Sequence, residues 1–425
     1  MIPQQQLYSF DLVCAQQLDK QDPLADFRNR FHLPVQSSGE PYLYFTGNSL
    51  GCQPKGTAEA IKVELEDWKR LGVEGHLHAR NPWMPYHERL TDSLSKIVGA
   101  NPGEVVAMGA LTANLHFLLV SFYQPKGRRM KILMEDDAFP SDSYALNSQV
   151  AFHGYTPEEA IIRLKPRSGE YYLRTEDILE VIEQEGDQVA TLLMGGVNYF
   201  TGQAFEMGKI TEAAHKQGIT VGFDLAHAVG NFPLKLHGWG VDFAAWCSYK
   251  YLNAGPGAVA GVFVHERHAH NPDLPRFAGW WGHDKERRFL MEPDFVPVPG
   301  AEGWQLSNAP VLSMAALRAS LDLFDEAGMQ RLRAKSELLT GYLAYLIDQI
   351  PGISYITPKD PVQRGCQLSL VLDQGGKEVF DQLEAKGVIC DWREPNVIRA
   401  APVPLYNSFE EVYHFGRLLR EILNG

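Results

Sequence analysis

Trp246-Cys247-Ser248-Tyr249-Lys250-Tyr251-Leu252-Asn253-Ala254-Gly255-Pro256-Gly257 sets one lysine between two tyrosines. It follows an apolar run (241–246) and precedes a Gly/Pro turn that neither strand nor helix continues. Upstream, Phe223-Asp224-Leu225-Ala226-His227 puts an aspartate at the end of a second apolar run. Most lysines are solvated, and most aspartates after a strand cap loops. An amine and a carboxylate delivered by two strand ends are, however, what a pyridoxal phosphate (PLP) enzyme needs. Lys250 would form the Schiff base, and Asp224 would keep the ring nitrogen protonated so that the ring can absorb a carbanion's electrons.

Working outward, strand-like runs at 105–108, 130–134, 189–194, 219–223 and 241–246 alternate with helical stretches such as 115–122, 175–182 and 210–217. This spacing predicts an α/β fold with a mainly parallel sheet, helices on both faces, and Asp224 and Lys250 at one sheet edge. Beyond a charged stretch (285–288), a proline-rich loop (293–299) and Trp304-Gln305-Leu306-Ser307-Asn308, helices at 313–327 and 329–350 and strands at 353–356 and 367–372 predict a smaller α+β domain. Its last helix opens with the capping box Ser408-Phe409-Glu410-Glu411 and buries Val412, Phe415, Leu419 and Ile422. The expected division is an N-terminal arm partly shared with the small domain (1–60), a large cofactor-binding domain (61–309) and the small C-terminal domain (310–425). Within the arm region, Pro54 is read as opening a helix with Ile61, Leu65 and Trp68 on one face, closed by Gly72.

Composition narrows the function classes. The 425 residues are enough for two substantial cores. Lys and Arg number 39 against 52 Asp and Glu, a net charge of −13 with no basic block, so neither nucleic acid nor an anionic membrane is an expected partner. The polar first 20 residues lack a signal peptide's pattern, and the most apolar window (110–123) is too short to span a bilayer. Five scattered cysteines without CxxC spacing read as reduced thiols. A cytoplasmic protein is expected.

Several loops carry candidate chemistry. Thr46-Gly47-Asn48-Ser49-Leu50-Gly51 allows close backbone approach to a ligand, although a plain turn fits equally. The segment 75–83, with His76 and His78, lacks helical or strand periodicity and suits a site-lining loop. His-x-His there has no Cys or carboxylate at ligand spacing, so no metal is expected. Gly109-Ala110-Leu111-Thr112 turns a strand into a helix start that suits a phosphate, or Thr112 simply caps that helix. Phe139 and Asp142 follow a strand end, as a ring-stacking face and a polar contact. Arg399, after two apolar residues, would be half-buried against a substrate carboxylate or a protein acid. Gly255-x-Gly257 precedes a strand rather than a helix, so it is no dinucleotide fingerprint, and His265-Glu266-Arg267-His268 misses metalloprotease spacing by one residue.

The stretches FTGNSLG (45–51), LTANLH (111–116), FPSD (139–142), FDLAHAVGN (223–231), GVDFAAWCSYKYLNAG (240–255), GWWGH (279–283), QLSNAP (305–310) and RAAPVPLYNSF (399–409) occur in the order found in kynureninases. Over residues 42–423 the chain resembles that family, PLP enzymes of the type I, aspartate aminotransferase-like fold. The resemblance implies that Lys250 is the Schiff-base lysine and Asp224 the partner of the ring nitrogen, with His227 beside it. It implies that Leu111 and Thr112 receive the phosphate, Phe139 stacks on the ring, and Asp142 is a further cofactor contact. Tyr249 would touch the phosphate and donate a proton. Trp280 and Asn308 match cofactor contacts supplied by the second subunit of a homodimer. Arg399 would clamp the substrate α-carboxylate, and Ser49 and His76, with Asn308, would lie near the substrate's aromatic ring. Gly195 stands where some relatives carry a serine near the phosphate. The implied reaction cleaves kynurenine or 3-hydroxykynurenine to an anthranilate and L-alanine, in tryptophan catabolism through the kynurenine pathway and NAD biosynthesis. Ser49, His76 and Asn308 resemble the set of members favouring the 3-hydroxy substrate, because polar groups there can bond the extra hydroxyl. The rival readings are a cysteine desulfurase, for which Cys366 is the candidate thiol, an aminotransferase, and a PLP-fold binding protein without turnover.

Overall fold

Seven strands form the sheet on which the site is built: β1 (Val105–Ala107), β2 (Lys131–Glu135), β3 (Ile161–Leu164), β4 (Val189–Gly195), β5 (Thr220–Asp224), β6 (Phe243–Trp246) and β7 (Gly261–Val264). They are seen in a computed structural model of the chain, which describes residues 8–271, 273–374 and 376–424. The lateral order is β1-β7-β6-β5-β4-β2-β3. Only β7 runs against its neighbours, β1 and β6; the pairs β6–β5, β5–β4, β4–β2 and β2–β3 are parallel. The central strands are apolar along nearly their whole length because helices cover both faces, and β6 is buried at every residue. Trp246 lies against Gly261 on β7, where an added Cβ would stand 2.2 Å from the indole ring. The carboxyl ends of β2, β4 and β5 deliver Glu135, Gly195 and Asp224 to one edge, and β6 leads on to Lys250.

The smaller sheet is antiparallel: β8 (Ile353–Tyr355), β9 (Leu368–Leu372), β10 (Asp391–Arg393) and β11 (Val397–Ala400), in the order β8-β9-β11-β10. Its core contains Leu339, Leu343 and Phe415, and also Ala15, Leu18 and Phe45 from the N-terminal region. The helix Val311–Ala327 instead buries Met314, Leu317, Leu321 and Phe324 in the core of the large sheet, together with Leu24, Phe27 and Phe31. The last helix, Phe409–Leu423, opens with the Ser408/Glu411 capping box and buries Val412, Phe415 and Leu419, while Ile422 is half-buried.

Two local expectations are overturned. The helix beginning near residue 54 spans Thr57–Leu71, Pro54 being paired with Phe31 in a short strand, and it turns Leu65 and Trp68 outward (43% and 61% exposed) while Glu64 and Asp67 are buried. Glu64 accepts from Asn81 Nδ2 (2.7 Å), Trp83 Nε1 (2.9 Å) and Tyr86 Oη (3.1 Å), and Asp67 from the Arg80 backbone and guanidinium. With that many donors from residues 80–86, the acidic face can be buried without an unsatisfied carboxylate. The segment 75–83, expected to lack regular structure, opens with the single helical turn Gly75–His78.

Candidate active site

A cavity of about 360 Å³ opens at the carboxyl edge of the large sheet, facing β10 and β11 of the small one. Lys250 reaches into it after the β6 end. Its segment is held by Asn253 in the left-handed region (φ 52°) and by the loop 46–51, where the Gly51 N–H donates to the Tyr249 carbonyl at 2.9 Å. A Cβ at Gly51 would stand 2.4 Å from the Lys250 carbonyl oxygen, so the close contact between the two motifs requires glycine there. Lys250 Nζ lies 2.9 Å from His227 Nε2 and 5.8 Å from the centroid of the Phe139 ring. Burial, with Lys250, Arg399 and Arg393 nearby, holds His227 well below the usual imidazole range, so it is neutral.

The floor is acidic. Asp224 accepts from the Ala226 N–H at 2.7 Å and shares a hydrogen bond with Asp142. Two buried carboxyls in contact cannot both ionise. Burial and the neighbouring Asp224 and Glu135 charges raise Asp142 well above the ordinary range, and Asp142 is the partner that keeps the proton. Glu135 accepts from the Gly195 N–H at 2.9 Å, and burial pushes it up to about 7. Opposite, the helix Leu111–Phe122 starts from Ala110, which offers no side-chain cap, so the first-turn N–H groups of Leu111 and Thr112 are left for a ligand. Thr112 is therefore not the helix cap; its hydroxyl hydrogen bonds Ser141 Oγ at 2.8 Å. Burial raises the Tyr249 hydroxyl, which stays protonated. Arg399 is 2% exposed and does meet a protein acid: it pairs with Asp391 and also donates to the Tyr199 carbonyl at 2.7 Å.

The Kynureninase C-terminal domain model matches residues 332–419. The chain is 59% identical over 407 residues to a kynureninase of Myxococcus xanthus, covering 95% of this chain and 96% of the relative. It is 55% identical to a kynureninase of Koribacter versatilis, covering 94% and 95%. The chain belongs to the kynureninase family. It is an enzyme of that family. Among solved structures it superposes on a C-DES mutant with glycine covalently linked to its PLP cofactor, with TM-score 0.76 and 18% identity over 89% of this chain and 96% of that one. A cysteine desulfurase from Thermococcus onnurineus NA1 gives TM-score 0.76 and 16% identity over 90% and 95%. The fold is that of type I PLP-dependent enzymes.

The donor set of this kynureninase-family site fits PLP: an amine for the aldehyde, a buried carboxylate for the ring nitrogen, an uncapped helix start for the phosphate and an aromatic face. Of the residues expected at the site, Lys250, Tyr249, Asp224, His227, Leu111, Thr112, Phe139, Asp142, Ser49 and Arg399 all line the cavity. His76, Trp280 and Asn308 do not. His76 packs edge-on against Trp83, and Trp280 and Asn308 are exposed on the chain. Cys366 is fully buried, and its thiol is pushed up to about 12 by burial, which removes the reactive thiolate a desulfurase needs. Sequence reasoning missed Glu135, Tyr199 and Arg393, which also line the cavity. The first two follow strand ends, a signal that could have found them; Arg393 had none.

Among the described residues, two clusters elsewhere hold three ligand-type side chains each, with ligand atoms within 4.8 Å: Glu104, His237 and His265, and His87, Glu88 and Glu302. Both are already engaged. Glu104 accepts from His237 Nδ1 (3.0 Å) and the Glu266 N–H (2.8 Å), and the Lys285 ammonium sits on Glu88 (2.8 Å) and Glu302 (2.7 Å).

Proposed function

We propose that the chain, with PLP bound at Lys250, hydrolyses the Cβ–Cγ bond of L-kynurenine or 3-hydroxy-L-kynurenine to anthranilate or 3-hydroxyanthranilate plus L-alanine. The observation that carries this reading is the meeting of Lys250, Asp224 and the 111–112 helix start in one cavity with a buried arginine, Arg399. When bound, PLP supplies an electron sink for the pair left at Cα when its proton is removed.

The protein groups then have defined tasks. Asp224 would hold a proton on the ring nitrogen of bound PLP, and Phe139 would supply an aromatic face for the ring. Arg399 fixes the α-carboxylate, which orients the Cα proton toward Lys250 Nζ. Neutral His227, 2.9 Å from that nitrogen, can take part in moving the proton. Water adds to the γ-carbonyl, and Tyr249, which stays protonated, donates the proton that completes L-alanine. A homodimer supplies what one chain does not bring to the cavity: His76, Trp280 and Asn308 come from the second copy. Exposed Trp68, Val73 and Leu77 near His76 support such a covered surface.

The polar set Ser49, His76 and Asn308 favours the 3-hydroxy substrate, since a site built to bond a hydroxyl discriminates against its absence. The activity serves tryptophan catabolism in the cytoplasm. The test incubates the purified holoenzyme with each substrate and follows aromatic product and alanine. Equimolar products from either establish the reaction, and their absence with PLP bound at Lys250 refutes it. A kcat/KM for plain kynurenine equal to or above that for the 3-hydroxy form refutes the preference.

A further inference from the structure

Arg399 shares the cavity with a second guanidinium, that of Arg393. On the antiparallel pair β10–β11, Asp391 lies opposite Arg399 and Arg393 opposite Val397, so strand alternation puts Asp391, Arg393 and Arg399 on one face. Both arginines bond the same atom, Asp391 Oδ2, Arg393 Nη2 at 3.1 Å and Arg399 Nη2 in direct contact. Among the described residues, Asp391 is the one acid paired with either.

Charge and donors then fall short in the same way. Two guanidinium groups against one carboxylate leave this face of the cavity one negative charge short. Burial depresses Arg399 to about 10, the mark of a cation that its surroundings do not fully compensate. Arg399 Nη1 is taken by the Tyr199 carbonyl and both Nη2 groups by Asp391, while Arg399 Nε and Arg393 Nε are buried without a partner. Orphaned guanidinium donors are costly in a finished interior. Partnerless guanidinium donors and one missing negative charge match a single carboxylate.

We propose that the substrate α-carboxylate is held by a two-arginine clamp, one oxygen on the Arg399 guanidinium and the other on that of Arg393. Asp391 stays in place as the positioning residue that aims both. This deepens the proposed function and rests on it. Sharing the carboxylate between two arginines fixes the plane of the carboxylate as well as its position, and so the direction of the Cα–H bond relative to Lys250.

The test is spectral titration of the PLP-loaded enzyme with L-alanine and with L-alaninamide, which lacks the carboxylate, for wild type, Arg393→Gln and Arg393→Lys. Kynurenine turnover by wild type is measured in parallel. Loss of one charge-assisted contact predicts about 10- to 100-fold weaker L-alanine binding in Arg393→Gln, with L-alaninamide changed less than about threefold. Arg393→Lys restores the charge but not the fork and recovers part of the loss. Equal losses for both ligands, no loss for L-alanine, or full recovery by lysine would overturn the clamp. Failure of wild type to turn over kynurenine, with the alanine pattern intact, would sink the reaction and leave the clamp standing.

Discussion

Replacing Glu135 by glutamine should stabilise the protein above pH 7 and change little near pH 5. Glu135 is 3% exposed at the end of β2, and its carboxyl accepts from the Gly195 N–H. Asp224, Asp137 and Asp142 face it as further acids. Burial is the largest cause of its rise from 4.5 to about 7. Because the folded pKa lies above the unfolded one, the native state holds this proton more tightly. The contribution to stability is complete below the unfolded pKa and is lost as pH rises through about 7. Each tenfold difference in proton affinity between the folded and unfolded chain is worth about 1.4 kcal/mol, so the buried charge costs about 3 kcal/mol at pH 8. Glutamine keeps an acceptor for Gly195 and removes the titration. With about 2 cal/mol/K of unfolding entropy per residue over 425 residues, the difference corresponds to about 3–4 °C. Thermal midpoints of wild type and Glu135→Gln between pH 5 and pH 8 supply the comparison, because groups common to both cancel in the difference. A difference that stays flat, or that grows toward acid, would refute the reasoning.

Lys250→Ala should lower turnover by more than about 1,000-fold while leaving the circular dichroism spectrum unchanged. Retained turnover would remove Lys250 from the chemistry, and its loss in a folded protein counts against a purely binding role. Cys366→Ala should keep kcat near wild type at a cost of about 1–2 kcal/mol from a small cavity; a large fall in kcat at unchanged stability would reopen the desulfurase reading. Gly261→Ala should destabilise by roughly 1–3 kcal/mol or more, since its Cβ would stand 2.2 Å from the buried Trp246 ring; an unchanged thermal midpoint would show that the ring moves freely.

What the sequence determined by itself was local: apolar runs marked the central strands, and the breaks after them marked the carboxyl edge where Asp224 and Lys250 lie. Motif order was enough to indicate the family. In the two larger sheets, β3 and β10 escaped that reading. Each lies at one edge of its sheet and is only partly covered, so neither shows a buried alternation. The helix Thr57–Leu71 was turned the wrong way for a related reason. Periodicity shows which residues share a face but not that residues 80–86 will supply the donors that let Glu64 and Asp67 be the buried ones. The same holds for the site. That Arg399 is at least half-buried could be read from its neighbours, but its full burial could not; its carbonyl partner Tyr199 lies 200 residues away, and Arg393 enters the cavity only through the β10–β11 register. Apolar periodicity is a property of neighbouring residues in the chain, whereas which face is buried and how charges and donors pair are decided when segments pack, and only the tertiary structure could show it.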